Sequence, residues 1–203
     1  MESIILASAS ARRQELLRQI GVRFTVRSQD IDESIRRGEL ANDYVIRMAQ
    51  EKAKSALSEL LVNKDSNVTV VLAADTSVIC DADVLGKPMD EADAVDMLRR
   101  LSGREHRVLS AVTLATQDKQ RTLLSESRVR FREISIAEAQ QYYRSGESAG
   151  KAGAYAIQGY AAVFVEQLIG SYSGVMGLPL FQTAQLLCEF TVPLQSTIPA
   201  VVK

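Results

Sequence analysis

Residues 151–159, KAGAYAIQG, place a cation, small flexible residues and an amide within one short stretch. Lysine is a compact positive charge that suits a phosphate, and glycine lets the main chain approach a ligand closely. The amide of Gln158 can both donate and accept hydrogen bonds at the edge of a base. The combination indicates a site for a phosphorylated ligand that carries a base, whereas an ordinary turn between two elements would explain this stretch if it stood alone.

A second stretch, near the N-terminus, predicts an anion site at the start of a helix. An apolar run at residues 4–7 is followed by Ser8 and Ser10, then by Arg12 and Arg13 ahead of a helical pattern. Ser10 suits the N-cap position, and the free NH groups of a helix N-terminus attract anions. A capped helix with two solvated arginines fits this motif equally well, so the two serines either bind phosphate or only cap the helix.

Two further motifs each contribute one charged group. Residues 70–74 form an apolar run, and we predict a strand that ends at Asp75, on an edge of the sheet where a carboxylate can hold a metal or act as a base. The Gly-Lys-Pro sequence at residues 86–88 predicts a turn that carries Lys87. This turn is not a P-loop, because an aspartate and a proline stand where that motif needs glycine and serine or threonine.

Together these motifs resemble the Maf family of nucleoside triphosphate pyrophosphatases, from about residue 3 to about residue 190. The family motifs occur in the family order, at residues 8–13 (SASARR), 73–76 (AADT), 86–88 (GKP), 101–103 (LSG), 150–159 (GKAGAYAIQG) and 175–179 (VMGLP). Three residues depart from the family pattern, since Ala11 replaces proline, Gly150 replaces aspartate and Ala156 replaces glycine. We expect these departures to alter the geometry of the loops rather than the activity.

The resemblance implies an α/β fold like that of the related inosine triphosphatases. It consists of an elongated, curved, mixed β-sheet flanked by helices, in two lobes with a central cleft. The sequence pattern predicts strands at residues 4–8, 24–26, 68–74, 108–115, 123–131 and 162–169, and helices at residues 12–19, 42–61, 91–101, 136–144 and 180–189. A polar turn at residues 117–120 predicts a hairpin, and hence a mixed sheet. We expect one catalytic domain at residues 1–190 and a loosely ordered tail at residues 191–203.

The resemblance also assigns roles to individual residues. Five of them would bind the phosphates: Ser8, Arg13, Lys52, Lys87 and Lys151. Asp75 would accept a proton from the attacking water and, together with Glu33, hold a divalent cation, Mg²⁺ or Mn²⁺, which would lower the pKa of that water. By pattern alone Lys52 would be a solvated helix lysine. The acidic run around Glu33 would be a solvated loop, which is the interpretation we prefer for Asp30 and Asp32.

Three positions are implied to select the base, namely Arg12, Thr76 and Gln158. The branch of the family that acts on dTTP and UTP carries this Arg, Thr and Gln set, whereas the branch that acts on methylated guanosine triphosphate has glutamate in place of the glutamine. Gln158 can satisfy a carbonyl and an imide NH together, as uracil or thymine requires, while a glutamate could only accept.

The resemblance therefore implies a housecleaning hydrolase of nucleotide metabolism, which converts dTTP, UTP and modified pyrimidine nucleotides to the monophosphate and diphosphate. An alternative of a different class is a nucleotide-binding inhibitor of septum formation that acts through protein partners. A third is an enzyme for deaminated purines, which a preference for ITP over dTTP would reveal. The motifs around Asp75 and Gln158 belong to the Maf pattern and place this third alternative last.

Composition agrees with a cytoplasmic enzyme. The 203 residues are 46% hydrophobic, with 24 basic and 25 acidic side chains, so neither a role in coating nucleic acid nor a membrane partner is indicated. Cys80 and Cys188 are predicted to be two reduced core thiols. Tyr155 and Tyr172 could stack on the base, but their apolar surroundings favour packing in the core. The expected partner is a nucleoside triphosphate, and a homodimer stays an option.

Overall fold

The computed structural model describes residues 3–62 and 68–193. The elements follow one another as β1 (Ser3–Leu6), α1 (Ala11–Gln19), β2 (Phe24–Val26), α2 (Ala41–Val62), β3 (Val68–Cys80), β4 (Asp83–Leu85), α3 (Glu91–Leu101), β5 (Glu105–Ala115), β6 (Gln120–Phe131), α4 (Ile136–Arg144), β7 (Val165–Ile169), α5 (Tyr172–Val175) and α6 (Leu180–Glu189). Two short 3₁₀ turns, Ala152–Ala154 and Tyr160–Phe164, precede β7. None of the helices in the described ranges has the length and apolar character that crossing a membrane requires.

The seven strands form one mixed sheet in the order β2-β1-β3-β5-β6-β7, with β4 paired to β3. Strand β1 is parallel to β2 and β3, and every other pairing in the described sheet is antiparallel. The predicted α/β class and the hairpin between β5 and β6 are therefore confirmed. Serine and aspartate N-caps explain why several helix starts could be predicted: Ser10 accepts from the amide of Arg13 at 3.4 Å, and Ser135 forms a capping box with Glu138.

Helices cover both faces of the sheet. On one face, side chains of β1, α1 and α6 form one hydrophobic core with the first half of β3, and α3 and α4 form another with its second half. Along β3, Leu72 and Ala74 belong to the first core, Val78 and Cys80 belong to the second, and Thr76 lies between them. On the opposite face, α2 packs along the length of the sheet. The two cores are the two lobes of the predicted fold.

Between the lobes, one edge of β3 is open. Strand β1 pairs with β3 only as far as Leu72, and β4 pairs with it only from Val78 onward. The intervening residues of β3, including Asp75, pair with β5 alone among the described strands. The loop that follows β1 and the turn that follows β4 both leave the sheet beside this gap.

The prediction that β3 ends at Asp75 was wrong, because the strand continues to Cys80. The apolar run stops at Ala74, but backbone pairing with β5 continues through Asp75↔Ala111 to Ile79↔Arg107. Main-chain hydrogen bonds define a strand, so polar side chains at the gap do not end it. Because successive residues alternate between faces, Asp75 points toward α2 and Thr76 points toward the lobes.

Other differences lie at the ends of elements and at the C-terminus. β4 and α5, of three and four residues, were not predicted, and residues 160–164 form a 3₁₀ turn rather than the start of β7. Cys188 is exposed, so only Cys80 is a core thiol. Of the predicted tail, Val192 is buried and its amide donates to the Leu187 carbonyl at 2.9 Å. Residues 194–203 lie outside the described part of the chain.

Candidate functional site

The gap in the sheet opens into a cleft of about 760 Å³ between the two lobes. Its walls come from the loop after β1, the middle of β3, the turn after β4, residues 149–158 and residues 175–177. All ten predicted site residues line it: Ser8, Arg12, Arg13, Glu33, Lys52, Asp75, Thr76, Lys87, Lys151 and Gln158. Asp30 and Asp32 are not among the lining residues, in line with the solvated loop preferred for them. The fold thus gathers the candidate residues, and their catalytic roles stay predictions.

A buried lysine joins the two candidate metal-binding carboxylates. Lys52 Nζ donates to Asp75 Oδ1 at 2.8 Å and lies 2.7 Å from Glu33 Oε1. Lys52 and Asp75 are each only 8% exposed. The solvated position that the local pattern suggested for Lys52 is therefore wrong. A signal was present, since Lys52 falls on the buried stripe of α2 four residues after Met48.

Glu33 links this pair to the mouth of the cleft. Its Oε2 lies 3.2 Å from Lys87 Nζ, so positive and negative side chains alternate from Asp75 through Lys52 and Glu33 to Lys87. Burial raises the pKa of Glu33, but hydrogen bonds and attraction from the two lysines outweigh it and leave the pKa below its ordinary value. Tyr44 donates to the Glu33 carbonyl at 2.9 Å and ties this loop to α2. The carboxylate is held charged at neutral pH.

Arg13 lies in the first turn of α1, near enough to Asp75 and Glu33 to be attracted by both carboxylates. Its Nη1 donates to Ser8 Oγ at 3.1 Å and its Nε to the Gly177 carbonyl at 2.8 Å. Burial lowers the pKa of Arg13, attraction from Asp75 and Glu33 opposes this, and an arginine stays charged in either case. The contact with the Gly177 carbonyl was not predicted, because every residue has a main-chain carbonyl and the sequence does not show which one will accept a hydrogen bond.

Two of the three base-selecting candidates are held by partners that fix their orientation. With its amide turned so that the oxygen faces Arg12, Gln158 accepts from Arg12 Nε at 3.0 Å and from Nη2 at 3.2 Å. Thr76 Oγ1 lies 2.8 Å from Ser110 Oγ and 3.3 Å from the Gly177 carbonyl. Ser110 is a further site residue that the sequence did not reveal, since a serine inside an apolar strand carries no motif.

Aromatic contacts hold the segment that carries Lys151 and Gln158. Tyr155 is buried, and its hydroxyl lies 2.9 Å from His106 Nε2, while Ala156 donates its amide to Tyr142 Oη at 3.0 Å. Tyr155 therefore packs in the core. Tyr172 does not share such surroundings, since it is 50% exposed at the start of α5.

Removing the imidazole of His106 is expected to flatten the dependence of stability on pH. Burial, with a smaller contribution from Arg104, lowers the pKa of His106 from 6.5 to about 4. As the pH falls below 6.5 the unfolded chain takes up a proton that the folded chain refuses, so the free energy of unfolding should drop by roughly 2 kcal/mol between pH 7.5 and pH 5. Urea unfolding of wild type and His106→Gln at both pH values measures this. The chain has a single histidine, so equal slopes in the two proteins would contradict the assignment.

A side chain at Gly153 is expected to destabilise the protein more than one at Gly150. Its φ is +66°, and a Cβ there would lie 2.9 Å from Cγ1 of Val78. Gly150 has a φ of +67° with nothing within 4 Å of such a Cβ, so it is the matched control in the same loop. Gly150→Ala should cost roughly 1 kcal/mol for the backbone alone, and Gly153→Ala about 1–3 kcal/mol more for the overlap. Urea unfolding of both variants tests this, and equal losses would show that the contact with Val78 is relieved at no cost.

The donor set at the base of the cleft consists of two carboxylates rather than a preformed cage. Among the residues that the structure describes, no group of three or more His, Cys, Asp or Glu side chains is placed to hold a metal. Glu33 and Asp75 nevertheless converge, because each contacts the same ammonium of Lys52. Mg²⁺ commonly takes one or two protein carboxylates and completes its shell with water and phosphate oxygens, and this pair meets that need.

Comparison with known proteins places the chain among close relatives. A family model described as Maf-like protein matches residues 3–190. A dTTP/UTP pyrophosphatase of Hahella chejuensis is 49% identical over 193 residues, which cover 95% of this chain and 94% of that protein. A protein of the same name from Methylococcus capsulatus is 51% identical over 184 residues, which cover 91% of this chain and 89% of that protein. Another, from Alkalilimnicola ehrlichii, is 48% identical over 192 residues, which cover 95% of each chain.

Proposed function

We propose that this chain, which belongs to the Maf family, is a nucleoside triphosphate pyrophosphatase that hydrolyses dTTP and UTP to the monophosphate and diphosphate. The observation that carries the proposal is that the Asp75 carboxylate lines a cleft together with cations from four separate segments of the chain. The names of three relatives at 48–51% identity support the substrate class. We also propose action on modified pyrimidine nucleotides, and a cytoplasmic location.

The cations would neutralise and orient the triphosphate. A phosphoryl transition state spreads negative charge over several oxygens, so positioning and positive charge supply most of the catalysis. Arg13 is held rigidly by Ser8 and Gly177 and would contact the phosphate nearest Asp75. Lys87 and Lys151 are exposed at the mouth of the cleft and would bind the departing diphosphate.

Asp75 would accept the proton of the water that attacks the α-phosphorus. Its Oδ1 is fixed by Lys52, which leaves Oδ2, 3.5 Å from the hydroxyl of Ser77, to take the proton. The rigid hold on one oxygen would keep the other in a constant position relative to the substrate. Positioning of this kind is worth a large share of the barrier when the reacting atoms are held in contact.

A divalent cation is part of the proposal. Glu33 and Asp75 would hold it, with Mg²⁺ and Mn²⁺ as the candidates, and when bound it would neutralise phosphate charge and lower the pKa of the attacking water. The two carboxylates now share Lys52, whose ammonium would remain beside them as a further positive charge. Lys52, Lys87 and the divalent cation would then surround the two carboxylates, and this positive charge would suit a polyanionic substrate.

The base would be read by hydrogen bonds of fixed direction. Because the oxygen of Gln158 already accepts twice from Arg12, its amide offers only the NH₂ group to a ligand. This revises the expectation that Gln158 satisfies a carbonyl and an imide NH together, since the NH₂ group can serve only the carbonyl. Uracil and thymine present such a carbonyl at O4, and their imide NH then needs a separate acceptor.

Diphosphate release from dTTP, UTP, CTP, ITP and 7-methyl-GTP, with Mg²⁺ or Mn²⁺, tests the proposed function. We expect dTTP and UTP to be turned over much faster than the other three. A preference for ITP or 7-methyl-GTP would overturn the substrate assignment. Absence of turnover with every nucleotide would instead favour a nucleotide-binding regulator that acts through protein partners.

A further inference from the structure

Ser110 lies directly behind Thr76, on the next strand of the sheet. The two residues are register partners between β3 and β5, and Ser110 is 1% exposed. Its Oγ donates to the Gly174 carbonyl at 2.6 Å and lies 2.8 Å from Thr76 Oγ1. The Thr76 hydroxyl therefore has a buried hydroxyl as its neighbour on the adjacent strand.

The positions of the two protons follow from counting donors. A carbonyl oxygen carries no proton, so the 2.6 Å contact requires Ser110 to donate to Gly174. Ser110 can then only accept from Thr76, whose second acceptor is the Gly177 carbonyl at 3.3 Å. With Ser110 donating to Gly174, both protein groups in contact with Thr76 Oγ1 are acceptors, namely Ser110 Oγ and the Gly177 carbonyl. The Thr76 proton then goes to one of these two, and its lone pairs are left for a ligand.

We infer that Ser110 is a positioning residue that makes Thr76 a hydrogen-bond acceptor toward the ligand. Together with Gln158, which offers a donor, the cleft then presents one donor and one acceptor to the edge of the base. Uracil and thymine present the complementary O4 acceptor and N3–H donor. Cytosine presents the reverse, an amino donor and an N3 acceptor, so the same two groups would oppose it. The inference rests on the proposed function and concerns how that site distinguishes UTP from CTP.

The test is the ratio of kcat/KM for UTP to kcat/KM for CTP. In Ser110→Ala the Thr76 proton is held only by the longer contact to Gly177 and can turn toward N3 of cytosine. We expect the ratio to fall about five- to tenfold, the worth of one ordinary hydrogen bond. Ser110→Thr keeps the hydroxyl and should keep the wild-type ratio. Ser110→Cys places a weakly hydrogen-bonding thiol there and should give an intermediate ratio, which provides a test if the alanine variant folds poorly.

Two controls separate this role from support of the loop behind it. Ser127 is also buried and bonds Ser171 at the start of α5 without touching Thr76, so Ser127→Ala should leave the ratio unchanged. In a Thr76→Val background, Ser110→Ala should have no further effect on the ratio, because the hydroxyl it orients is gone. A further fall in that background, or an unchanged ratio in Ser110→Ala itself, would overturn the inference.

Binding of UMP and CMP by calorimetry keeps the test independent of turnover. If wild type binds UMP more tightly than CMP and Ser110→Ala loses that difference, the inference stands even where no nucleotide is hydrolysed, and only the proposed function fails. If wild type hydrolyses UTP but binds UMP and CMP equally, the proposed function stands and the role of Ser110 is refuted.

Discussion

Asp75→Asn should lower kcat for UTP by about 10³-fold, the middle of the range for loss of a positioned general base. Asparagine keeps the size of the side chain but cannot take a proton, and its neutral oxygen is a poorer ligand for a divalent cation. Lys52 would keep its contact with Glu33, so the fold of the cleft should persist. Single-turnover rates of diphosphate release with saturating UTP measure the chemical step directly.

Asp83→Asn is the matched control for this substitution. Asp83 lies in β4, on the strand that pairs with the end of β3, and bonds Arg100 outside the cleft. Its replacement should leave kcat within a factor of about two, because neither Asp83 nor Arg100 lines the cleft and an exposed ion pair contributes only about 0–1 kcal/mol to stability. If Asp75→Asn retained a tenth or more of the wild-type rate, another group would have to accept the proton.

Lys52→Met should damage both activity and stability. The substitution leaves the carboxylates of Glu33 and Asp75 facing each other without the ammonium that they share. Breaking a buried pair strands a charge, and because the cleft admits water we expect the free energy of unfolding to fall by about 2–3 kcal/mol, below the full cost of such a loss. The rate with UTP should fall about 10²-fold, since Asp75 loses the contact that fixes Oδ1.

Two comparisons make the Lys52 prediction specific. Lys54 lies on the exposed side of the same helix, so Lys54→Met should change neither quantity measurably. Adding Asp75→Asn to Lys52→Met removes one of the stranded charges and should recover part of the lost stability, although not the activity. Full additivity of the two substitutions in urea unfolding would show that the carboxylate is not stranded when Lys52 is absent.

The longer helices of the chain could be predicted closely because their signals are local, whereas the four-residue α5 was not predicted. α3, α4 and α6 begin and end at the predicted residues; Asp90 and Ser135 cap the first two, whereas α6 follows Pro179 without a side-chain cap. Strand ends could not be predicted as well. The end of the apolar run at Ala74 does not show that β3 continues past Asp75, because the pairing that extends the strand comes from β5, about thirty residues later in the chain.

In the candidate site, too, local signals could be predicted from the sequence and long-range contacts could not. Eight of the ten predicted side chains that line the cleft could be identified because they lie in motifs, and Glu33 and Lys52 were identified only through the family resemblance. The groups that orient these side chains could not be predicted. Ser110 and the Gly177 carbonyl become visible only when β5 and residues 175–177 are brought against Thr76 and Arg13. For Lys52, burial could have been predicted from its position on the buried stripe of α2, but its contacts with Glu33 and Asp75 could not.

Hydrolysis of UTP in ¹⁸O-labelled water, with ³¹P NMR of the products, tests the central claim most directly. Attack on the α-phosphorus by a water that Asp75 deprotonates yields UMP and diphosphate, with the label in UMP alone. That result would establish the bond that is cleaved and the atom that is attacked. Formation of UDP and inorganic phosphate, or label found in the diphosphate, would contradict the account.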